Sequence, residues 1–305
     1  MKEKTMKEKT MKEKTISSLS QLIDAIEKLK SYYPSGIMLN NPVANTFLYR
    51  GLSDVSYKLI PSVFRKKEDN IDGRVVINNK YLAWANEKSL LLSFIHEASG
   101  LLSISTNDLP RWAEYAQHYG VPTRFLDWSS NPLVALYFAC RDRTEQDGAI
   151  WMLHGTNYKR FLAKNLQIPK EKTVKEILSD LFNDDKEIDY PVLYTPYYVD
   201  ARMSAQKSYF LVWGAKKEPL EDMLLNDELF MELPEVDNGI RLYGDDQQNN
   251  ILFKFFIHAD SKQPLLHELD MVGINEKTLF PGLDGIGRYV ERQYRFDYNE
   301  TIISM

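Results

Sequence analysis

"HYGVPTRFLDWSSNPLVALYFACRD", residues His118–Asp142, sets a polar, turn-rich loop directly against a helix that has no polar face. Asn131-Pro132 marks the helix start, because Asn caps free N–H groups and Pro at the first helical position has none to satisfy. From Leu133 to Cys140 every residue is apolar or aromatic, which predicts a helix buried on most faces. Polar groups beside a dry core cost free energy unless something satisfies them. Arg124, Asp127, Trp128, Ser129 and Ser130 crowd that boundary. A helix N-terminus offers unpaired N–H groups and a positive dipole end to an anion or a carbonyl. Arg124 adds a fork for phosphate and Trp128 a flat face for a ring. These are the parts of a nucleotide pocket. The plainer reading is that Ser129 helps cap the helix, Asp127 pairs with Arg124, and Trp128 is core.

Outward from this stretch, helices and strands alternate irregularly. Ser18 to Gln21 has capping-box form, and Leu19, Leu22, Ile23, Ile26 and Leu29 follow at helical spacing up to Pro34. "TFLYRGL", "GAIWMLH", "SYFLVWG" and "ILFKFFIHA" read as strands. "YLAWANEKSLLLSFIHEAS", "LPRWAEYAQHYG", "QPLLHELDMVGI" and "GIGRYVERQYRF" read as amphipathic helices. The charged stretch from about Lys170 to Pro191 reads as a solvent-facing insertion. No Pro/Gly/Ser linker divides the chain, so residues 16–305 are expected to form a single α+β domain. Residues 1–15 are MKEKT three times over. Methionines five apart sit about 140° apart on a helix and form no stripe, so this tract reads as a disordered tail.

Composition narrows the function class. The chain has 305 residues, 44% apolar and 27% charged, with a net charge of −5. That is ordinary soluble composition, with no global basic field for nucleic acid or anionic membrane. No run approaches the roughly 18 apolar residues of a membrane span, and the charged N-terminus leaves no room for a signal sequence. Cys140 is the single cysteine. It fits a reducing compartment, and the expectation is a cytoplasmic protein without membrane attachment. The histidines are scattered, so no metal site is expected. Gly-rich phosphate loops and the GxSxG nucleophile turn are missing.

"YRGLSD" (Tyr49–Asp54), "LIPSVFR" (Leu59–Arg65), "AQHYGVPTRFLDWSSNPLVALYFA" (Ala116–Ala139) and "LFPGLDGIGRYV" (Leu279–Val290) closely resemble the FRG domain family. That family is found in prokaryotic proteins, including phage- and defence-associated ones. The resemblance implies a toxin or phage-defence effector, with an inhibitory partner protein in some contexts. A more distant resemblance is to ADP-ribosyltransferases of the arginine–serine–glutamate type. It implies a small, mostly antiparallel, split sheet surrounded by many helices, and NAD as substrate. It also implies ADP-ribosyl transfer to a protein or nucleic-acid acceptor, or NAD hydrolysis. By this resemblance Arg50 is the first-strand arginine, Ser129 the strand-end serine and Gln206, in "RMSAQKSYF", the third residue. Glutamine there carries no negative charge, although it can hydrogen-bond a ribose hydroxyl. Glu228 or Glu232 could supply the acid instead, although no spacing selects either.

The catalytic candidates are therefore Arg50, Ser129 and Gln206. The binding candidates are Tyr49, Gly51, Arg124, Asp127, Trp128 and His118. Arg50 would grip pyrophosphate while Gly51 lets the ligand come close; alternatively Arg50 makes a structural ion pair. Trp128 or Tyr49 would pack the nicotinamide ring. Asp127 would orient Arg124 or Arg50. His118 is either an acid–base group or ring contact, or a helix-end histidine facing carbonyls. The rival class is a non-catalytic module that senses a nucleotide or nucleic-acid end.

Overall fold

The computed structural model describes residues 15–31, 47–71, 74–79, 87–165, 174–183, 188–196, 198, 200–226, 231–236, 240–244 and 251–294. Almost all of the MKEKT tract, the segment before Glu87 and Glu228 lie outside those residues. In chain order the first elements are α1 (Leu19–Ser31), β1 (Phe47–Leu52), β2 (Lys66–Ile71), β3 (Arg74–Asn79), α2 (Glu87–Ala98) and α3 (Leu109–His118). The central ones are β4 (Phe125–Ser129), α4 (Pro132–Cys140), β5 (Gly148–His154), α5 (Gly155–Asn165), α6 (Val174–Asn183) and β6 (Val192–Tyr194). Next come α7 (Ala201–Ala205), β7 (Ser208–Val212), α8 (Leu220–Asn226), β8 (Met231–Val236), β9 (Ile240–Gly244) and β10 (Leu252–Ile257). The last three are α9 (Lys262–Met271), α10 (Glu276–Leu279) and α11 (Leu283–Tyr294).

The fold is α+β, as the sequence predicts. Eight strands form one sheet in the order β6-β7-β4-β1-β5-β10-β9-β8, and β2 and β3 make a separate hairpin. Each described pairing is antiparallel. β1 runs the length of β5, from Phe47 opposite His154 to Leu52 opposite Ala149. On its other side β1 meets β4 only at Tyr49 opposite Ser129. The sheet thus narrows to a single residue pair between its two halves, rather than separating completely. The cause is local: after Ser129 the chain turns through Asn131 into α4 and leaves the sheet.

Strand alternation sends successive side chains to opposite faces. On one face Tyr49, Ile150, Met152, Phe253 and Phe255 form a core with α1, α4 and α9. On that same face, over the other half of the sheet, Phe125, Phe210 and Val212 pack with α2, α3 and α6. The opposite face carries Leu48, Trp128, Trp151, Leu153 and Trp213, covered by α5 and α8. Burying each such side chain contributes about 1.5–3 kcal/mol, so the three cores account for most of the drive to fold. Among the described residues, the cleft lies between the first two cores, lined by residues of β1, β4 and α4.

Three expectations need correction. "FLDWS", read from the sequence as loop, is strand β4, hydrogen-bonded to β7 from Phe125–Val212 to Ser129–Ser208. Only Asp127 in it is exposed, so it shows no in–out alternation to read. The stretch around Lys170–Pro191 is not a solvent-facing insertion where it is described. There α6 buries Ile177, Leu178, Leu181 and Phe182, and Ile188 and Tyr190 are buried after it. An amphipathic stripe is hidden there among charges. Gly51, thirdly, is not held open for a ligand. A Cβ at that position would stand 1.8 Å from the backbone oxygen of Ala135 and 2.7 Å from the nitrogen of Ala139. The glycine lets α4 lie directly on β1.

Candidate functional site

A cleft of about 240 Å³ opens where the sheet narrows. Its floor is β1, β4 and the start of β7; its walls are α3, α4 and α7. Tyr49, Arg50, Gly51, His118, Asp127, Trp128, Ser129 and Gln206 all contribute to its lining. Arg124 does not.

Arg50 bridges the two strands at the cleft. Its Nη1 donates to the backbone oxygen of Asp127 at 2.5 Å and lies 3.9 Å from Asp127 Oδ2. The guanidinium takes the place of the ladder hydrogen bonds that β1 and β4 fail to make. Its Nε is buried without a partner. Burial pushes the Arg50 pKa down to about 10, opposed by the Asp127 charge. Asp127 is the exposed carboxylate of the site, with 62% of its side chain accessible. Its Oδ1 accepts from Gln117 Nε2 at 2.8 Å, and Gln117 Oε1 accepts from Thr123 at 2.5 Å. Asp127 therefore orients Arg50 and not Arg124.

Ser129 is committed at both ends of its hydroxyl. It donates to the backbone oxygen of Gln206 at 2.6 Å and accepts from Asn131 N at 3.0 Å. Asn131 itself caps α4 through Leu133 N, as the sequence predicts. Gln206 ends α7, and its Nε2 donates to the backbone oxygen of Leu279 at 3.0 Å. Together these bonds tie the end of β4 to α7 and α7 to α10. His118 Nε2 lies 2.6 Å from Asp200 Oδ2, so His118 closes the cleft between α3 and the start of α7.

Residues 45–148 match the family model of the FRG domain. The chain carries an FRG domain. No curated protein and no solved structure matches the chain. The FRG domain contains Tyr49, Arg50, Gly51, His118, Asp127, Trp128 and Ser129, which supply the floor and one side of the cleft. Gln206 and the "LFPGLDGIGRYV" segment lie beyond the matched residues.

Within the FRG domain, three proposed ligand contacts do other work. Arg124 is a structural cation. Its Nε lies 2.5 Å from Glu87 Oε2, its backbone N donates to Glu87 Oε1 at 2.6 Å, and its Nη1 donates to Leu181 O at 3.0 Å. Its guanidinium also covers the Phe182 ring at 4.9 Å. The indole of Trp128 belongs to the core on the far face of the sheet and offers no free surface for stacking. Tyr49 is equally buried, with its hydroxyl unpartnered and its pKa driven up by burial. The ring that does reach the cleft half-exposed is Phe138, on α4.

Glu114 lines the opposite wall, with Arg202 and Met203, the first residues of "RMSAQKSYF", to which sequence reasoning gave no role. Glu114 accepts from Tyr194 OH and from Arg111 Nη1 at 3.1 Å. Burial raises its pKa despite those two partners. No local signal assigns them to a cleft, because only tertiary packing brings α3 and α7 to the β1–β4 junction. Glu232 lies on β8, at the far edge of the sheet from the cleft. Among the described residues no three His, Cys, Asp or Glu side chains gather to hold a metal ion. No helix among them is long and apolar enough to cross a membrane.

Proposed function

We propose that the cleft binds NAD or a related nucleotide and that the protein cleaves the nicotinamide glycosidic bond, transferring ADP-ribose to a macromolecule or to water. The observation that carries this reading is the Arg50 guanidinium, set between two diverging strands in a cleft that also receives the strand-end Ser129 and Gln206. Ligand pockets commonly measure roughly 300–1,000 Å³. A cleft of about 240 Å³ suits one nucleoside half of a dinucleotide, with the pyrophosphate at the mouth.

In this mechanism Phe138 meets the nicotinamide ring and Gln206 a ribose hydroxyl. The carbon–nitrogen bond breaks, nicotinamide leaves with the electron pair, and the ribose carbon becomes cationic. Preorganised negative charge at that point lowers the barrier. Asp127 supplies it, since Gln206 has none to give. The acceptor, protein or nucleic acid, attacks from the open side; with water as acceptor the reaction is hydrolysis. A role as a toxin or defence effector, held in check by an inhibitory partner, accords with the FRG family context.

One observation favours the second reading, a nucleotide sensor without turnover. Ser129 and Gln206 are both hydrogen-bonded within the protein, and neither is a carboxylate. Incubation with labelled NAD separates the two. Release of nicotinamide, lowered at least tenfold in Asp127→Asn, supports the enzyme. Saturable binding with no release supports the sensor.

A further inference from the structure

Three guanidiniums converge at the mouth of the cleft. Arg202, Arg288 and Arg141 place their Cζ atoms 4.9, 4.8 and 5.5 Å from the centre of the Phe280 ring. They come from α7, from α11 and from the residue that ends α4. Phe280 is buried, and its ring meets Phe138 edge to face at 6.1 Å. Arg202 and Phe138 are themselves cleft residues. The cluster is therefore continuous with the site.

Like charges this close repel, and a fold gains nothing from gathering them unless something answers the charge. Arg141 is partly answered by Asp142, 2.9 Å from its Nε. The guanidiniums of Arg202 and Arg288 have no hydrogen bond or ion pair among the described residues. All three arginines are exposed. Burial is the largest influence lowering the Arg202 pKa; Arg141 and Arg288 lower it further, while Asp127 and Asp200 raise it. Nearby Arg292 is different, being neutralised by Asp270 and Glu276.

Stacking on a ring leaves the planar N–H edge of a guanidinium free, and that edge matches phosphate oxygens two at a time. We propose that Arg141, Arg202 and Arg288 form a pyrophosphate-binding site around Phe280, taking the diphosphate of a nucleotide whose other end enters the cleft. This deepens the nucleotide reading and rests on it for the identity of the ligand. It also moves the phosphate grip away from Arg50, which is mostly buried and bonded to Asp127. A diphosphate is the favoured ligand over a nucleic-acid strand because the charges surround one ring. A strand's backbone needs a row of cations along a surface.

The test titrates the full chain with inorganic pyrophosphate, then with NAD, in the wild type, Arg202→Ala, Arg288→Ala and Arg288→Glu. Lys28→Ala, on the exposed face of α1, controls for lost charge. Arg288 is exposed and has no ion pair among the described residues, so its variants are expected to melt as the wild type does. The expected result is saturable, salt-sensitive pyrophosphate binding, weakened at least tenfold by each arginine variant, more by Arg288→Glu, and unchanged by Lys28→Ala. Absent pyrophosphate binding, or binding equal in all variants, overturns the site; NAD binding that survives alongside leaves the nucleotide reading standing. Pyrophosphate binding at these arginines without any NAD binding supports the anion site and overturns the nucleotide reading alone. Displacement of pyrophosphate by a single-stranded oligonucleotide at far lower concentration than by NAD overturns the assignment to a small nucleotide.

Discussion

Arg50 Nη1 donates to the backbone oxygen of Asp127 at 2.5 Å, across the gap where β1 and β4 stop pairing. One side chain thus closes the sheet and faces the cleft. Arg50→Ala leaves a carbonyl without its donor and two strands without their bridge. The expected loss of stability is about 1–3 kcal/mol, read from chemical denaturation. Arg50→Lys keeps a cation but loses the fork, and it should recover only part of that loss. Unchanged midpoints in both variants would show that the contact does not hold the sheet together.

Gly51→Ala should be the most damaging small substitution in the FRG domain. The new methyl group would meet the backbone of α4, which has no side chain to move aside. The expected cost exceeds about 3 kcal/mol, seen as a collapse of soluble yield or of the melting temperature. Because the clash is with a main-chain oxygen, Ala135→Gly added on top should not rescue it. A rescued double variant would mean that α4 is free to shift.

The Glu87–Arg124 pair predicts a separation of stability from binding. Truncating one partner of a buried ion pair costs about 3–5 kcal/mol, because the other charge is left uncompensated. Arg124→Met should therefore lower stability strongly, and Arg124→Met with Glu87→Met should lower it less. NAD affinity per folded molecule should be unchanged in both, since neither side chain lines the cleft. Loss of affinity in a variant that is still folded would return Arg124 to the site.

Acid should weaken the fold through His154. Burial lowers its pKa from 6.5 to about 4, and its Nδ1 accepts the backbone N–H of Asn157 at the start of α5. The unfolded chain then takes up the proton first as pH falls. The stabilisation from neutral His154 is complete above the unfolded pKa, is lost as pH drops from 6.5 towards 4, and amounts to about 3 kcal/mol at most. His154→Gln keeps an acceptor and cannot titrate, so its melting temperature should fall less than that of the wild type over that window. Parallel curves would remove His154 as the cause.

The sequence discloses the parts of this protein whose signal is local. β1, β5, β7 and β10 and the buried helix α4 are legible as apolar runs with their caps. β4 is not, because both its faces are buried, Phe125 in one core and Trp128 in another, so no apolar–polar pattern shows. Arg50, Ser129 and Gln206 line one cleft, which no local signal in the sequence indicates. Arg124 misleads because Glu87 is 37 positions away, and nothing in "PTRFLDW" points to it. The arginines around Phe280 lie just past α4, on α7 and on α11, so only the folded chain assembles them.

Calorimetric titration of the full chain with NAD tests the central claim most directly. A saturable heat at one site per chain, weakened about tenfold or more in a Phe138→Ala variant that remains folded, is the predicted outcome. No heat at millimolar NAD, or an identical heat in that variant, would contradict it.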